Sequence, residues 1–201
     1  MQGLDGRKQT IVMTVIEYKS KTLIFISDTH GNHRSLSVPP CDFLIHCGDA
    51  CTDGDTNQLK DFFDWFAEQA PRYKIFIAGN HDLIFDLDPI EGKSMIPHNI
   101  LYLENEYNTI EGISFYSVSA RPWLHEYPSE KRPIDFLITH GPAFGILDFK
   151  LGCKILKKFI LKQNPVCHIF GHIHETGGNV KKFGLSTCMN VCSKFSIISD
   201  I

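Results

Sequence analysis

Short apolar runs divided by polar turns set the rhythm of this chain. TLIFIS from Thr22, DFLIHCG from Asp42 and RYKIFIAG from Arg72 each carry a block of apolar residues. Such short apolar runs predict strands. Between the second and third, Leu59, Phe62, Phe63 and Phe66 fall at i, i+3, i+4 and i+7. That spacing predicts a helix over about Thr56–Ala70, with Asp55 and Gln58 placed for a capping box and the aromatic stripe facing a core. Runs at ISFYSVS, DFLITHG, VCHIFGHIH, GLSTCMNVCS and FSIISD bring the expectation to about eight strands. A second helix is predicted between Gly152 and Gln163, stopped by Asn164-Pro165. Residues Asp86–Asn99, rich in Pro, Gly and charge, read as a surface loop beyond the third strand. Residues 1–13 are polar and unpatterned and read as a flexible tail, Met13 being a second candidate start, with one domain over 14–201. Strands alternating with helices make the chain α/β.

Composition narrows the function classes. With 201 residues, 43% of them hydrophobic, the chain can bury one substantial core. A formal charge of −3 with the signs interspersed offers no electropositive track for a long nucleic acid. Lys150, Lys154, Lys157, Lys158 and Lys162 read as a solvated helix face. No run approaches the roughly 20 apolar residues of a membrane span, and the first residues lack a signal-like apolar core. Seven cysteines, an odd number without CxxC pairs, fit reduced thiols. The expectation is a cytoplasmic protein with no membrane partner.

Chemistry gathers where the strands end. Asp28-Thr29-His30, Gly48-Asp49, Gly79-Asn80-His81-Asp82, His140-Gly141 and Gly171-His172-Ile173-His174 each follow or close an apolar run. Each has a bland reading: Asp28-Thr29 can cap a turn, Gly79-Asn80 is a common turn pair, and His140 can be a buried core histidine. His172 and His174 are harder to dismiss, because residues two apart on a strand project from one face. In α/β sheets the carboxyl ends of strands converge on ligands, so the five clusters predict one site. Asp, His and Asn donors suit Mn²⁺, Fe or Zn²⁺, and thiolates are absent from the set. Two aspartates, four histidines apart from His81, and one asparagine exceed one tetrahedral ion but suit two ions sharing a carboxylate.

In order, DTH, GD with Gly54 five residues on, GNHD, THG and GHIH resemble the calcineurin-like metallophosphoesterase superfamily over about residues 22–192. LIFISDTHG, FLIHCGDACTDG, IAGNHDLIFD, ITHGPAFGILD and HIFGHIHETGG are most similar to small metallophosphoesterase-domain proteins related to class III phosphodiesterases. The resemblance implies a four-layer αββα sandwich of two mixed sheets and a pair of divalent ions, Mn²⁺ ahead of Fe or Zn²⁺. It implies that Asp28, His30 and His174 hold one ion, that Asn80, His140 and His172 hold the other, and that Asp49 bridges them. His81 would then stand over the substrate as the catalytic residue. Two ions about 3.5 to 4 Å apart lower the pKa of a shared water and clamp the phosphoryl oxygens. The protein serine/threonine phosphatases of the superfamily carry arginines where this chain has Asp53 and Ala78, which speaks against a phosphoprotein substrate. The carboxylate that orients His81 stays open between Asp53 and Asp82.

The function expected is hydrolysis of a small phosphodiester such as a nucleotide, by attack of a metal-activated hydroxide. The alternative is a broad-specificity phosphomonoesterase. A third reading is a non-catalytic scaffold, as in the metallophosphoesterase-like subunit of the retromer coat, although such proteins typically lose site histidines that this chain keeps. Arg121, Pro122 and Trp123 read either as a substrate wall or as an ordinary turn. His33, His46, His98, His125 and His168 read as structural or exposed, and Asn190 as a supporting residue.

Overall fold

The computed structural model describes residues 7–10 and 13–197, the first four and the last four of these as backbone. In chain order the strands are β1 (Arg7–Thr10), β2 (Thr14–Tyr18), β3 (Lys21–Ile26), β4 (Phe43–Cys47), β5 (Tyr73–Ile77), β6 (Leu101–Tyr102) and β7 (Tyr107–Ile110). They continue with β8 (Ile113–Ser117), β9 (Phe136–Ile138), β10 (Cys167–Phe170), β11 (Val180–Phe183), β12 (Ser186–Asn190) and β13 (Lys194–Ile197). The α-helices are α1 (Thr56–Glu68), α2 (Ile84–Leu87), α3 (Pro89–Ser94) and α4 (Lys154–Gln163). One sheet runs β2-β3-β4-β5-β6 and a second β11-β12-β10-β9-β8-β7, while β1 and β13 form a separate ribbon.

Both large sheets are mixed. Strands β3 to β6 are parallel with β2 antiparallel at one edge, and β8, β9, β10 and β12 are parallel between antiparallel β7 and β11. Side chains alternate between faces along each strand, and here both faces are covered. Leu23, Phe25, Phe43, Ile45, Ile75 and Ile77 meet Phe115, Phe136, Ile138 and Ile169 between the sheets. The opposite-facing Ile24, Ile26, Leu44 and Phe76 pack on Leu59, Phe62, Phe63 and Phe66 of α1 and on Phe85 of α2. On the far side Tyr116, Leu137, Phe170 and Cys188 pack on Leu156, Phe159 and Ile160 of α4. The result is the αββα sandwich of two mixed sheets that the resemblance implies.

Several boundaries differ from the sequence reading. Asp55 caps α1 by accepting from Asn57 N and Gln58 N, but Gln58 turns its side-chain oxygen to Thr52 N and leaves the capping box half made. Residues read as a loop after Asp86 are mostly helical. Asp88 accepts from Glu91 N and Pro89 occupies the first turn of α3, a pairing that starts a helix. Within the stretch read as a tail, Arg7–Thr10 is a strand paired antiparallel with Lys194–Ile197, a main-chain pairing that needs no apolar pattern. The rest of that stretch, 1–6 and 11–12, lies outside the described residues.

Three unassigned histidines are buried structural groups. His33 bonds Asp61 through Nε2 at 3.0 Å. His46 accepts from Gly48 N on Nδ1 and so presents Nε2–H to Thr29 Oγ1 at 3.1 Å. His168 stacks on Phe170 and meets Thr139 Oγ1 at 2.9 Å, while that hydroxyl donates to Gly141 O. His168 Nε2 is therefore the donor, and its Nδ1 is buried without a partner. Burial pushes this imidazole down to about 3, well below the unfolded value near 6.5.

Stability contributed by neutral His168 is thus complete above pH 6.5 and is lost as pH falls toward 3. The stability gap between wild type and His168→Gln, measured by urea unfolding, should narrow by about 1.4 kcal/mol per pH unit between pH 6.5 and 5. A gap that stays constant over that window contradicts a buried neutral His168.

Candidate metal centre

Parallel β3, β4 and β5 end on the same side as parallel β9, β10 and β12, and the two edges are stitched together. Ser27 and Cys192 form a parallel bridge, His172 N donates to Asp28 Oδ2, and Ser193 Oγ donates to Ser27 O. All five polar clusters land there. The backbone then bends sharply: Asp28, His30, Asp49 and His172 all have positive φ, between 42° and 70°. Left-handed conformations cost side-chain-bearing residues free energy and collect at functional sites. Two glycines permit the close approach. A Cβ on Gly79 would lie 2.1 Å from Asp49 Oδ1, and one on Gly171 would lie 2.3 Å from Asp28 Oδ2.

Imidazoles ring the two buried carboxylates. His140 Nε2 lies 3.2 Å and His30 Nε2 3.9 Å from Asp49 Oδ2, and His174 Nε2 lies 3.8 Å from Asp28 Oδ1. Asn80 Oδ1 is 3.0 Å from His140 Nε2, and the His140 and His172 rings are 5.2 Å apart. The Nδ1 atoms of His30, His140 and His174 face the carbonyls of Cys51, Cys47 and Ser193 at 3.1, 2.9 and 2.7 Å. A carbonyl only accepts, so Nδ1 carries a proton and Nε2 is the nitrogen turned inward, the one a cation would take, as in metal-ligating histidines. Asp28, His30 and Asp49 form one group of donor atoms, and Asp49, His140 and His172 another, each within 4.8 Å of one another. The donor set fits two divalent cations with Asp49 between them. Every predicted ligand converges.

The electrostatics agree. Burial opposes a charge on His140, yet the Asp49 carboxylate outweighs it and raises the imidazole to about 9. Burial likewise opposes ionisation of Asp49, and the field of His140 overcomes it, holding this carboxyl below the usual range. Burial and then the neighbouring His140 lower His172 to about 4. A pocket that favours positive charge between these groups favours a bound cation for the same reason.

His81 stands at the rim, about one-third exposed, its ring edge-on to His30 at 5.0 Å. Its backbone N–H donates to Asp49 Oδ1 at 2.8 Å. The structure also separates the two candidate carboxylates. Asp53 Oδ1 lies 3.0 Å from His81 Nδ1. Asp82 is fully buried and accepts instead from the backbone N–H groups of Asp49, Ala50, Cys51 and Gly79, clamping the loops after β4 and β5. Burial and the nearby Asp49 push the Asp82 carboxyl up to about 6, against those four donors.

Arg121 does not reach toward phosphate. Its guanidinium is held by Asp86 at 2.5 Å and Glu104 at 3.0 Å, which answers the substrate-wall reading for this residue. Trp123 donates to Leu151 O and lines an open cavity of about 440 Å³ with Phe144 and Lys150. Asn190 ties the site from behind, donating to Ile173 O and Thr176 Oγ1 and accepting from Cys192 N. One residue at the site escaped the motif reading altogether: Cys192, whose CMNVCS setting matches no ligand block.

Residues 21–176 match the model of the calcineurin-like phosphoesterase family. The chain is 33% identical to the UPF0046 protein K07C11.7 of Caenorhabditis elegans, over 86% of this chain and 70% of that protein. It is 31% identical to human metallophosphoesterase domain-containing protein 1, over 85% of this chain and 66% of that protein. Among solved structures it is similar to the phosphopantetheinyl hydrolase of Mycobacterium tuberculosis, with a TM-score of 0.63 at 15% identity, covering 86% and 89% of the two chains. It also resembles TT1561 of Thermus thermophilus, with a TM-score of 0.56 at 11% identity, covering 89% and 91%. These likenesses in fold agree with the two mixed sheets flanked by helices.

Proposed function

The chain belongs to the calcineurin-like phosphoesterase family, and from that premise we propose that it is a metal-dependent phosphoric ester hydrolase acting on small phosphodiesters. The supporting observation is the convergence of Asp28, His30, Asp49, Asn80, His140, His172 and His174 on one pocket, with His81 beside it. Asp28, His30 and His174 would hold one divalent ion, Asn80, His140 and His172 the other, and Asp49 would serve both. Bound there, such ions supply Lewis acidity toward the phosphoryl oxygens and a lowered pKa for water. The protein's part is to fix the donors, through the Nδ1–carbonyl contacts and the Asp82 clamp, and to place a proton donor at the leaving side. That donor is His81.

Preference for a diester rests on charge. A diester carries one negative charge, whereas a monoester near neutral pH carries up to two. Beside His81 the rim presents Asp53, a carboxylate, while Arg34, four residues after His30, is held by Asp61 and Arg121 by Asp86 and Glu104. Repulsion penalises the more highly charged ester. In the described residues no helix is long and apolar enough to cross a membrane. All seven cysteines are unpaired, which supports a reducing compartment such as the cytoplasm.

The test is hydrolysis of bis-p-nitrophenyl phosphate and p-nitrophenyl phosphate by chelator-stripped protein, with and without Mn²⁺ or Zn²⁺. Metal-dependent cleavage favouring the diester is expected. Monoester preference would replace the substrate class, and no activity with any divalent ion would move the assignment to a scaffold.

Asp53 is a positioning residue in this reading. Its carboxylate needs a proton on His81 Nδ1, while its own backbone N–H, 3.2 Å from the same atom, needs the lone pair. Only one contact can be made at a time, and the carboxylate contact orients the ring with its Nδ1–H toward Asp53. Asp53 is 82% exposed, however, and exposed ion pairs are worth about 1 kcal/mol or less. Asp53→Asn should therefore lower kcat by no more than about fivefold, with metal content unchanged. A loss of several hundredfold would mean that Asp53 touches substrate.

A further inference from the structure

Six of the seven cysteines belong to apolar clusters: Cys47 and Cys167 between the sheets, Cys41 and Cys51 under α1, Cys153 and Cys188 under α4. Cys192 belongs to none of the three, although it is fully buried. Its surroundings are polar. The sulfur lies 3.4 Å from Ser193 O, and its distances to a carboxylate oxygen of Asp28 and a ring nitrogen of His174 are within 4.8 Å. A small apolar residue would serve packing equally well; a sulfur set between a carboxylate and an imidazole serves coordination.

We propose that Cys192 is a ligand of the metal position formed by Asp28 and His174, giving that position a sulfur donor beside its oxygen and nitrogen donors. The inference rests on the metal-centre reading above and extends its donor set. Three contacts fix the sulfur's place. Cys192 pairs with Ser27, directly before Asp28; its N–H donates to Asn190 Oδ1 at 2.8 Å; and the next residue, Ser193, receives His174 Nδ1 at 2.7 Å. The cysteine is thus tied to the backbone of one partner and to the ring of the other. Tetrahedral donors bound at roughly 2.0 to 2.3 Å from one ion stand about 3.3 to 3.8 Å apart, and His174 Nε2 and Asp28 Oδ1, at 3.8 Å, lie at the outer end of that range. Coordination forms a metal–sulfur bond and releases the thiol proton to solvent.

Metal choice follows. A thiolate favours zinc, iron or cobalt over manganese, so this position differs in preference from the Asn80, His140 and His172 position, which offers nitrogen and amide oxygen. The manganese that the resemblance implies is displaced at one of the two positions.

Full-length protein stripped with a chelator and reloaded with Zn²⁺ or Co²⁺ decides the matter. The zinc protein should show sulfur scattering at about 2.3 Å in X-ray absorption, and the cobalt protein a near-ultraviolet thiolate-to-cobalt charge-transfer band. Cys192→Ser should lose both signals and bind zinc about 10- to 100-fold more weakly, with manganese affinity little changed, whereas Cys41→Ser should keep both signals. Full metal loading of the wild type without sulfur in the shell overturns the proposal and leaves the metal centre standing, as does a sulfur signal that survives Cys192→Ser. Failure of the wild type to bind any divalent ion overturns the metal-centre reading itself. The wild-type zinc spectrum is decisive even if Cys192→Ser does not fold.

Discussion

Asp49→Asn is expected to empty both metal positions and abolish measurable turnover. Asp49 is the one carboxylate flanked by ligands of each position, with His30 at 3.9 Å on one side and His140 at 3.2 Å on the other. Asparagine matches the size of aspartate and can still accept the His81 N–H, so the variant removes charge with little change of shape. The charge decides. Loss of a group that merely supports a metal ligand costs about 10- to 100-fold in affinity. Loss of the shared anionic ligand should exceed about 100-fold for each ion. Elemental analysis after dialysis should find less than one ion per chain, against two in the wild type. Retention of both ions would show that Asp49 does not lie between them, and the two-position scheme would have to be redrawn around Asp28.

That so much of this site was legible in advance has a physical cause. Metal ligation restricts residue type, and a parallel sheet fixes where its strands end, so polar clusters at apolar run ends carry both chemistry and position. Asp28, His30, Asp49, Asn80, His140, His172 and His174 could be read from those two constraints and the order of the motifs. The apolar runs marked the central strands, because strands covered on both faces tolerate few polar interruptions, while the four-layer arrangement came from the resemblance alone. Cys192 could not be read this way. Its partners are far back along the chain, at Asp28 and His174, and a cysteine in a strand is ordinarily core. The choice between Asp53 and Asp82 was closed to sequence for a related reason. Both lie close to His81 along the chain or across the loop, and only the turn of the backbone sends Asp82 inward to four N–H groups and Asp53 outward to the ring. The helix at Pro89 was a different kind of miss. Its Asp-Pro start is a helix signal, but the charge and glycine of the same stretch are equally typical of a loop.

His81→Ala should leave two ions per chain and still lower kcat by about 10²- to 10⁴-fold, the range for loss of a positioned general acid. The structure explains how those effects can part. His81 is joined to the metal centre by its backbone N–H, which holds Asp49 Oδ1 at 2.8 Å and survives the substitution. Its ring is the portion that faces outward, against His30 on one side and Asp53 on the other. Truncation thus deletes the proton donor without disturbing a donor atom. The loss should also depend on the leaving group. A p-nitrophenolate departs with little help from a proton, whereas an alkoxide or ribose oxygen needs one, so kcat for an alkyl diester should fall further than kcat for bis-p-nitrophenyl phosphate. Equal losses on the two substrates would show that His81 stabilises charge on the phosphoryl group instead of protonating the departing oxygen. Loss of metal from His81→Ala to the extent expected for Asp49→Asn would erase the distinction between ligand and catalytic residue on which the assignment of His81 depends.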